Sequence, residues 1–79
     1  MSKYQARIAK QALRHLRDET ALAHSDGRGF NENDQLYGCA LANSREAFNV
    51  ETFDAACQLV WRYRRQLPSQ WVEIVCPGR

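Results

Sequence analysis

The stretch that decides the fold is SDGRGFNENDQLYGCALA, residues 25–42. It begins with a glycine-rich turn, continues with asparagine and aspartate residues of the kind that start helices, and ends in a short apolar segment. The segments on either side of it carry apolar residues at helical spacing. The stretch therefore predicts a turn and a short helix that connect two longer helices.

The segment before this stretch predicts a first helix over about residues 2–23. Its apolar residues recur with a period of about 3.6 residues, which is typical of a helix with one buried face. This predicted buried stripe consists of Tyr4, Ile8, Ala12, Leu13, Leu16 and Leu22. Additional alanines favour the helix and allow a neighbouring element to pack closely against it.

The second predicted helix is short and covers about residues 32–43, with Asn31 or Asn33 as its cap. Gly38 lies inside this helix, where glycine costs roughly 1 kcal/mol relative to alanine. We expect close packing against the alanine-rich first helix to compensate, with Phe30 as a hydrophobic anchor over the core. The buried face should consist of Leu36, Tyr37, Ala40 and Leu41.

The third predicted helix covers residues 50–67. Asn49 is the expected N-cap, Phe48 and Phe53 have the spacing of a hydrophobic staple, and Pro68 ends the helix. Its core face should consist of Phe53, Ala56, Cys57, Val60, Tyr63 or Arg64, and Leu67. Residues 70–76 have a strand-like composition without a partner strand, so we expect an extended tail across the helices. The predicted fold is all-α: a compact three-helix domain with a short extended C-terminal tail, forming a single domain over residues 1–79.

Length and composition narrow the class of protein. A chain of 79 residues makes one domain, and it has no apolar run long enough to cross a membrane. The first ten residues are basic and lack the apolar core of a secretion signal, so we expect a cytoplasmic location. An odd number of cysteines, three, agrees with a reducing compartment. Cys39 and Cys57 should be small core residues, whereas Cys76 is expected to be an exposed thiol.

The charges are divided unevenly along the chain. Residues 1–17 carry five bases and no acid, residues 18–54 carry eight acids and two bases, and residues 55–79 carry four arginines and one glutamate. Two basic segments thus flank an acidic middle. Such a division is more informative about binding partners than the net charge of +2.

The five bases of the first segment share one face of the predicted helix. They are Lys3, Arg7, Lys10, Arg14 and Arg17. Like charges one turn apart repel, and no acid inside the helix lies within reach of Lys3, Arg7 or Lys10. The pattern has two interpretations: a solvated helix face, or a surface for phosphates or for an acidic partner.

A second basic cluster ends the third predicted helix. Arg62, Arg64 and Arg65 are interleaved with Trp61 and Tyr63, which point in nearly opposite directions on a helix, so at least one of these two rings belongs to the core. The arginines also suit the negative end of a helix. We expect both basic clusters to form one surface that binds nucleic acid.

Catalysis and metal binding have little support in the sequence. No phosphate-binding loop, nucleophile elbow or zinc-binding spacing is present, and the polar residues at 26–34 lack the order of a calcium loop. We therefore expect a protein that is not an enzyme and that has no metal ion or cofactor.

One motif resembles a known module. The pattern D-G-x-G-F-N-x-x-D-x-x-Y-G-x-x-L-A, present from Asp26 to Ala42, is similar to a small helical module of bacterial, phage and plasmid proteins that often accompanies helicase-like replication proteins. The run Tyr63–Leu67 matches the module's basic ending, so the resemblance covers most of residues 5–67. The pair Cys39-Ala40 departs from the polar or small residues of the module. The resemblance implies a nucleic-acid-processing context and supplies no catalytic residue.

Together these observations predict a non-catalytic, nucleic-acid-binding accessory subunit of a larger nucleic-acid-processing complex. The alternative is a small phage-encoded protein-interaction module, a regulator, inhibitor or assembly factor, that docks a partner protein through its basic face or its acidic middle. The sequence leaves open whether the nucleic acid is DNA or RNA, and whether it is single- or double-stranded.

Overall fold

The computed structural model of the protein describes residues 2–22 and 28–78, without the side chain of Leu22. The helices of these residues are α1 (Lys3–Leu22), α2 (Gln35–Asn43), α3 (Val50–Arg62) and α4 (Ser69–Val75), and a single 3₁₀ turn follows α3 at Arg64–Gln66. The all-α prediction is confirmed, but the count of three helices is wrong. The predicted burial of Leu22 and most of the predicted glycine-rich turn, residues 23–27, lie outside the described residues.

Helix α1 is the central element, because it packs more extensively than any other helix against the remaining three α-helices. Its buried face consists of Ile8, Ala9, Ala12, Leu13 and Leu16. It contains the predicted Ile8, Ala12, Leu13 and Leu16, and also Ala9, which was not predicted, whereas Tyr4 in the first turn is 56% exposed. The bases of α1 thus lie on the side of the helix away from the core.

Helix α2 differs from the prediction in its start and in its buried face. It begins at Gln35, after a turn in which the Asn31 side chain accepts a hydrogen bond from the amide of Asp34 at 2.9 Å. Its buried residues are Gly38, Leu41 and Ala42. The prediction was wrong for Leu36, Tyr37 and Ala40, which are exposed. Gly38 and Ala42 on the buried face let the helix lie close to its neighbours.

The neighbour that requires Gly38 is an aromatic ring. A Cβ atom at this position would lie 2.5 Å from Cζ of Phe30. The Phe30 ring is buried and meets the Tyr63 ring edge to face, with 5.5 Å between centroids. Phe30 is therefore the core anchor that the sequence predicts, and its ring, rather than the backbone of α1, explains the glycine.

Helix α3 begins as predicted. The Asn49 side chain accepts a hydrogen bond from the Thr52 amide, and the Thr52 hydroxyl accepts one from the Asn49 amide, both at 2.8 Å. This is a capping box. The α-helix ends at Arg62 rather than at Leu67, because the chain tightens into the 3₁₀ turn and Leu67 is already extended before Pro68.

The C-terminal segment is a helix, so the prediction of an extended tail over residues 70–76 was wrong. Val72, Val75 and Cys76 are buried at helical spacing. The side-chain amide of Gln5 donates to the carbonyl of Ile74 at 3.1 Å, which ties α4 to the first turns of α1. Cys76, expected to be exposed, is buried because α4 folds this segment against the core.

Candidate functional site

We call the five bases of α1, Lys3, Arg7, Lys10, Arg14 and Arg17, the cationic face. The structure gives the middle of this face a partner that the sequence did not reveal, the carboxyl end of α2. The amino group of Lys10 donates to the carbonyl oxygen of Ser44 at 2.7 Å and to that of Glu46 at 3.0 Å. It also lies 5.1 Å from the centroid of the Phe48 ring.

Two arginines of the cationic face continue this contact. Nε of Arg14 donates to the carbonyl of Ala42 at 3.3 Å, and Nη1 of Arg17 donates to the side-chain oxygen of Asn43 at 2.6 Å. The last carbonyls of a helix lack partners within it, and the helix dipole is negative there. Lys10, Arg14 and Arg17 therefore stabilise the end of α2, which explains part of the basic pattern.

These contacts leave most of the positive charge of the cationic face uncompensated. Among the described residues, Arg17 alone of the five has a carboxylate within 4.0 Å, that of Asp18 at 3.1 Å. Lys10 and Arg14 bind neutral carbonyl groups, and Lys3 and Arg7 are exposed. The amino-terminal half of α1 thus keeps a strongly positive outer surface.

A groove lies between the first turns of α1 and residues 47–48, with a volume of about 340 Å³. It is lined by Ser2, Lys3, Ala6, Arg7, Lys10, Ala47 and Phe48. Its apolar lining comes from Ala6, Ala47 and the buried Phe48, and three bases of the cationic face border it. We call this feature the cation-rimmed groove.

The arginines at the end of α3 and in the 3₁₀ turn are mostly held by internal partners. Nη1 of Arg62 contacts both carboxylate oxygens of Asp34 at 2.7 Å. The guanidinium of Arg64 lies 4.4 Å from the centroid of the Trp61 ring, and its Nη1 donates to the Trp61 carbonyl at 2.9 Å. Arg65 is exposed, and no hydrogen bond or ion pair connects it to the described part of the chain.

The end of the 3₁₀ turn after α3 lies beside the second half of α1, away from the cation-rimmed groove. Gln66, next to Arg65, borders a small cavity with His15 and Glu19, whereas the cation-rimmed groove lies beside the first turns. At about 1.5 Å per residue, the distance along the helix from Arg7 to Glu19 is roughly 18 Å. The groove therefore brings together Lys3, Arg7 and Lys10, whereas Arg62, Arg64 and Arg65 do not line it. A binding role of Arg62, Arg64 and Arg65 stays a prediction.

Asp34 is the centre of a polar network that holds the turn before α2 against the end of α3. The pKa of Asp34 lies below its ordinary value mainly because Arg62 donates a hydrogen bond to its carboxylate, and the Tyr63 hydroxyl donates another at 2.7 Å. These hydrogen bonds outweigh the effect of burial, which raises the pKa of Asp34. Burial, together with the bond to Asp34, raises the pKa of Tyr63. The Tyr63 oxygen also accepts a hydrogen bond from the Asn31 amide at 2.9 Å. We therefore assign these groups a structural role, which is to hold the turn before α2 against the end of α3.

Other titratable groups form no evident chemical centre in residues 2–22 and 28–78. No three His, Cys, Asp or Glu side chains of this part are placed to hold a metal ion. The thiol of Cys57 donates to the Val75 carbonyl at 3.6 Å, and that of Cys76 donates to the Cys57 carbonyl at 3.5 Å. None of the described helices is long and apolar enough to cross a membrane.

Comparison of the chain with protein-family models, with curated proteins and with solved structures finds no match.

Sequence reasoning missed the apolar half of the candidate site. Ala6, Ala47 and Phe48 come from segments about forty residues apart, and no periodicity connects them. It also missed the bonds from Lys10 to Ser44 and Glu46, because the sequence does not show that α2 ends beside the middle of α1.

Proposed function

We propose that the protein is a non-catalytic nucleic-acid-binding subunit that contacts phosphates through the cationic face of α1. The observation that supports this proposal is that most positive charges of the cationic face have no acidic partner. Four of the five bases on that face have no carboxylate within 4.0 Å in the described part of the chain. A protein selected for stability alone would gain from acids interleaved at these positions.

The geometry also favours binding because part of the face is already ordered. Lys10 and Arg14 are fixed by backbone carbonyls, so less side-chain entropy is lost when a ligand contacts them. Arg14 uses Nε for its contact, and its two terminal nitrogens remain for a phosphate oxygen. Lys3 and Arg7 are exposed and complete a row of positive charge about three turns long.

The wider setting of the proposal comes from the sequence. The resemblance of residues 26–42 to a phage and plasmid module favours a role beside helicase-like proteins, within a larger complex in the cytoplasm. That setting, the absence of catalytic activity and the absence of a cofactor are parts of the proposal.

The test is a titration of fluorescently labelled oligonucleotides, single-stranded and duplex, followed by anisotropy at about 50 mM salt, where phosphate contacts are strongest. We expect Arg7→Glu to weaken binding at least tenfold. The slope of log K against log salt should fall by about 0.7–0.9 for each lost phosphate contact.

Arg65→Glu is the comparison variant, because it makes the same charge change at an exposed arginine of the 3₁₀ turn after α3, outside the cationic face, and so tests whether binding is confined to that face. It should change the affinity less than threefold. The proposal fails if neither DNA nor RNA binds at this salt concentration. Equal losses in the two variants would refute the assignment to the cationic face.

One observation favours a second candidate function, a protein-interaction module. Leu36 is 86% exposed and Tyr37 is 53% exposed on the outer face of α2. If this face docks a partner protein, the complex should survive nuclease treatment, be lost in Leu36→Asp and persist in Arg7→Glu. A complex that nuclease dissolves would argue against this candidate.

A further inference from the structure

We propose that the cation-rimmed groove takes one nucleobase of a single-stranded nucleic acid, while the flanking phosphates bind Lys3 and Arg7. This inference rests on the proposed function and adds to it the strandedness of the ligand and the place where a base is held.

The shape and chemistry of the groove suit a nucleotide. Its volume of about 340 Å³ is at the lower end of the range for small-ligand sites, roughly 300–1,000 Å³. Its lining is mainly apolar, from Ala6, Ala47 and Phe48, whereas its border is basic. A nucleotide has the complementary arrangement, with a flat ring that is easily desolvated and an anionic group a few bonds away.

The positive charges at the border of the groove are placed to bind phosphates. Lys3 and Arg7 lie one helical turn apart at the border of the groove and have no carboxylate partner among the described residues. The amino group of Lys10 is held by the carbonyls of Ser44 and Glu46, so it adds a fixed positive field on the inner side. A strand crossing the border would place successive phosphates near Lys3 and Arg7 with its base directed inward.

Tyr4 follows Lys3 in sequence but lies outside the lining of the groove, and it is 56% exposed, although a tyrosine ring is large and mostly apolar. Bases of single strands stack on such rings without sequence preference. A strand that extends beyond the groove can therefore stack a further base on Tyr4.

A duplex cannot use this site without breaking a base pair, since its bases are stacked inside the helix. The cationic face would still attract a duplex through its phosphates, but the groove would stay empty. The groove therefore predicts a preference for single strands beyond the effect of charge.

The experiment compares three oligonucleotides of equal length at about 50 mM salt: a single strand with bases, an abasic strand with the same phosphates, and a duplex. The first should bind about tenfold more tightly than the other two, which corresponds to the loss of base contacts of ordinary strength. The abasic strand keeps the charge, so the difference isolates the bases.

Two variants locate the effect. Ala47 is exposed, so Ala47→Leu fills the groove without disturbing the core, and it should abolish the preference over the abasic strand while leaving abasic binding within twofold. Tyr4→Ala should weaken binding of the base-containing strand severalfold and leave abasic binding unchanged. Circular dichroism melting confirms that both variants are folded.

The outcomes separate this inference from the proposed function. Equal binding of the abasic and base-containing strands would overturn the inference and leave phosphate binding intact. Tighter binding of the duplex would also overturn it. If none of the three oligonucleotides binds, the proposed function fails as well. The groove would instead be assigned to a protein partner if a glutamate-rich peptide with one tryptophan displaced the labelled single strand at a lower concentration than the unlabelled single strand does.

Discussion

Replacing Lys10 by methionine tests whether the cationic face stabilises the fold. The change keeps an unbranched side chain, one atom shorter, but removes an amino group that donates to the carbonyls of Ser44 and Glu46, at 2.7 and 3.0 Å. It also removes the positive charge 5.1 Å from the centroid of the Phe48 ring. Both carbonyls belong to the segment that leads from α2 to α3, so the link between these helices loses its anchor.

The expected loss follows from these contacts. A hydrogen bond to a charged group contributes about 1.5–3 kcal/mol when buried, and a cation over an aromatic ring about 0.5–1 kcal/mol when exposed. Lys10 is half-buried, and water can replace part of both hydrogen bonds in the variant. We therefore expect the free energy of unfolding to fall by about 1–3 kcal/mol, out of the 5–15 kcal/mol that is usual for a domain.

Urea denaturation followed by circular dichroism measures this loss. The midpoint should decrease with an unchanged slope, and the melting temperature should fall by about 4–8 °C for each kcal/mol. Lys3→Met is the matched control, because Lys3 is exposed on the same helix and has no partner among the described residues. Its effect should stay within about 0.5 kcal/mol. If Lys10→Met is no more destabilising than Lys3→Met, the anchoring role of Lys10 is refuted.

Three further predictions concern the fold. Gly38→Ala should lower the free energy of unfolding by about 1 kcal/mol in urea titrations, because overpacking against Phe30 exceeds the gain in helix propensity. In a Phe30→Leu background the same change should be neutral or stabilising. Asp34 has a pKa below its ordinary 3.8, so its network stabilises the fold above that pH and the contribution is lost as the pH falls further. Asp34→Asn should therefore be less stable at neutral pH and show a flatter acid dependence of its melting temperature; an unchanged acid limb would contradict this. Asn49→Ala removes the capping box, so the free energy of unfolding should fall by about 1 kcal/mol, through faster unfolding or slower folding of α3. The affinity of this variant for nucleic acid should stay unchanged.

The elements that the sequence predicted well are those that local rules control. Asn49 caps α3 because its side chain reaches an amide three residues on, which needs no tertiary contact. The buried face of α1 is equally local, since Ile8, Ala12, Leu13 and Leu16 share one side of any helix.

The errors arise where packing overrides composition. Leu36 and Tyr37 have the hydrophobicity of core residues, but the Phe30 ring requires the glycine face of α2 to turn inward, which leaves both exposed. Helix α4 was missed because valine, isoleucine and tryptophan favour strands. Its helical signal was nevertheless present in Val72, Val75 and Cys76, which are buried at a spacing of three and four residues.

The candidate site was only half predictable for a related reason. The shared face of the five bases follows from helical periodicity alone. The cation-rimmed groove depends on residues 47–48 reaching the start of α1, which is a long-range contact. The separation of Arg65 from this groove likewise depends on how α3 crosses α1.

The central position of α1 also has a consequence for folding during synthesis. Of the four described α-helices, α1 is synthesised first, and its buried face is covered by the three that follow it; the side-chain amide of Gln5 meets its partner, the Ile74 carbonyl, only once α4 has been made. Contacts between residues far apart in sequence form slowly relative to local contacts. We therefore expect the apolar side of α1 to stay uncovered until α4 has been synthesised, and the four helices to fold together after that.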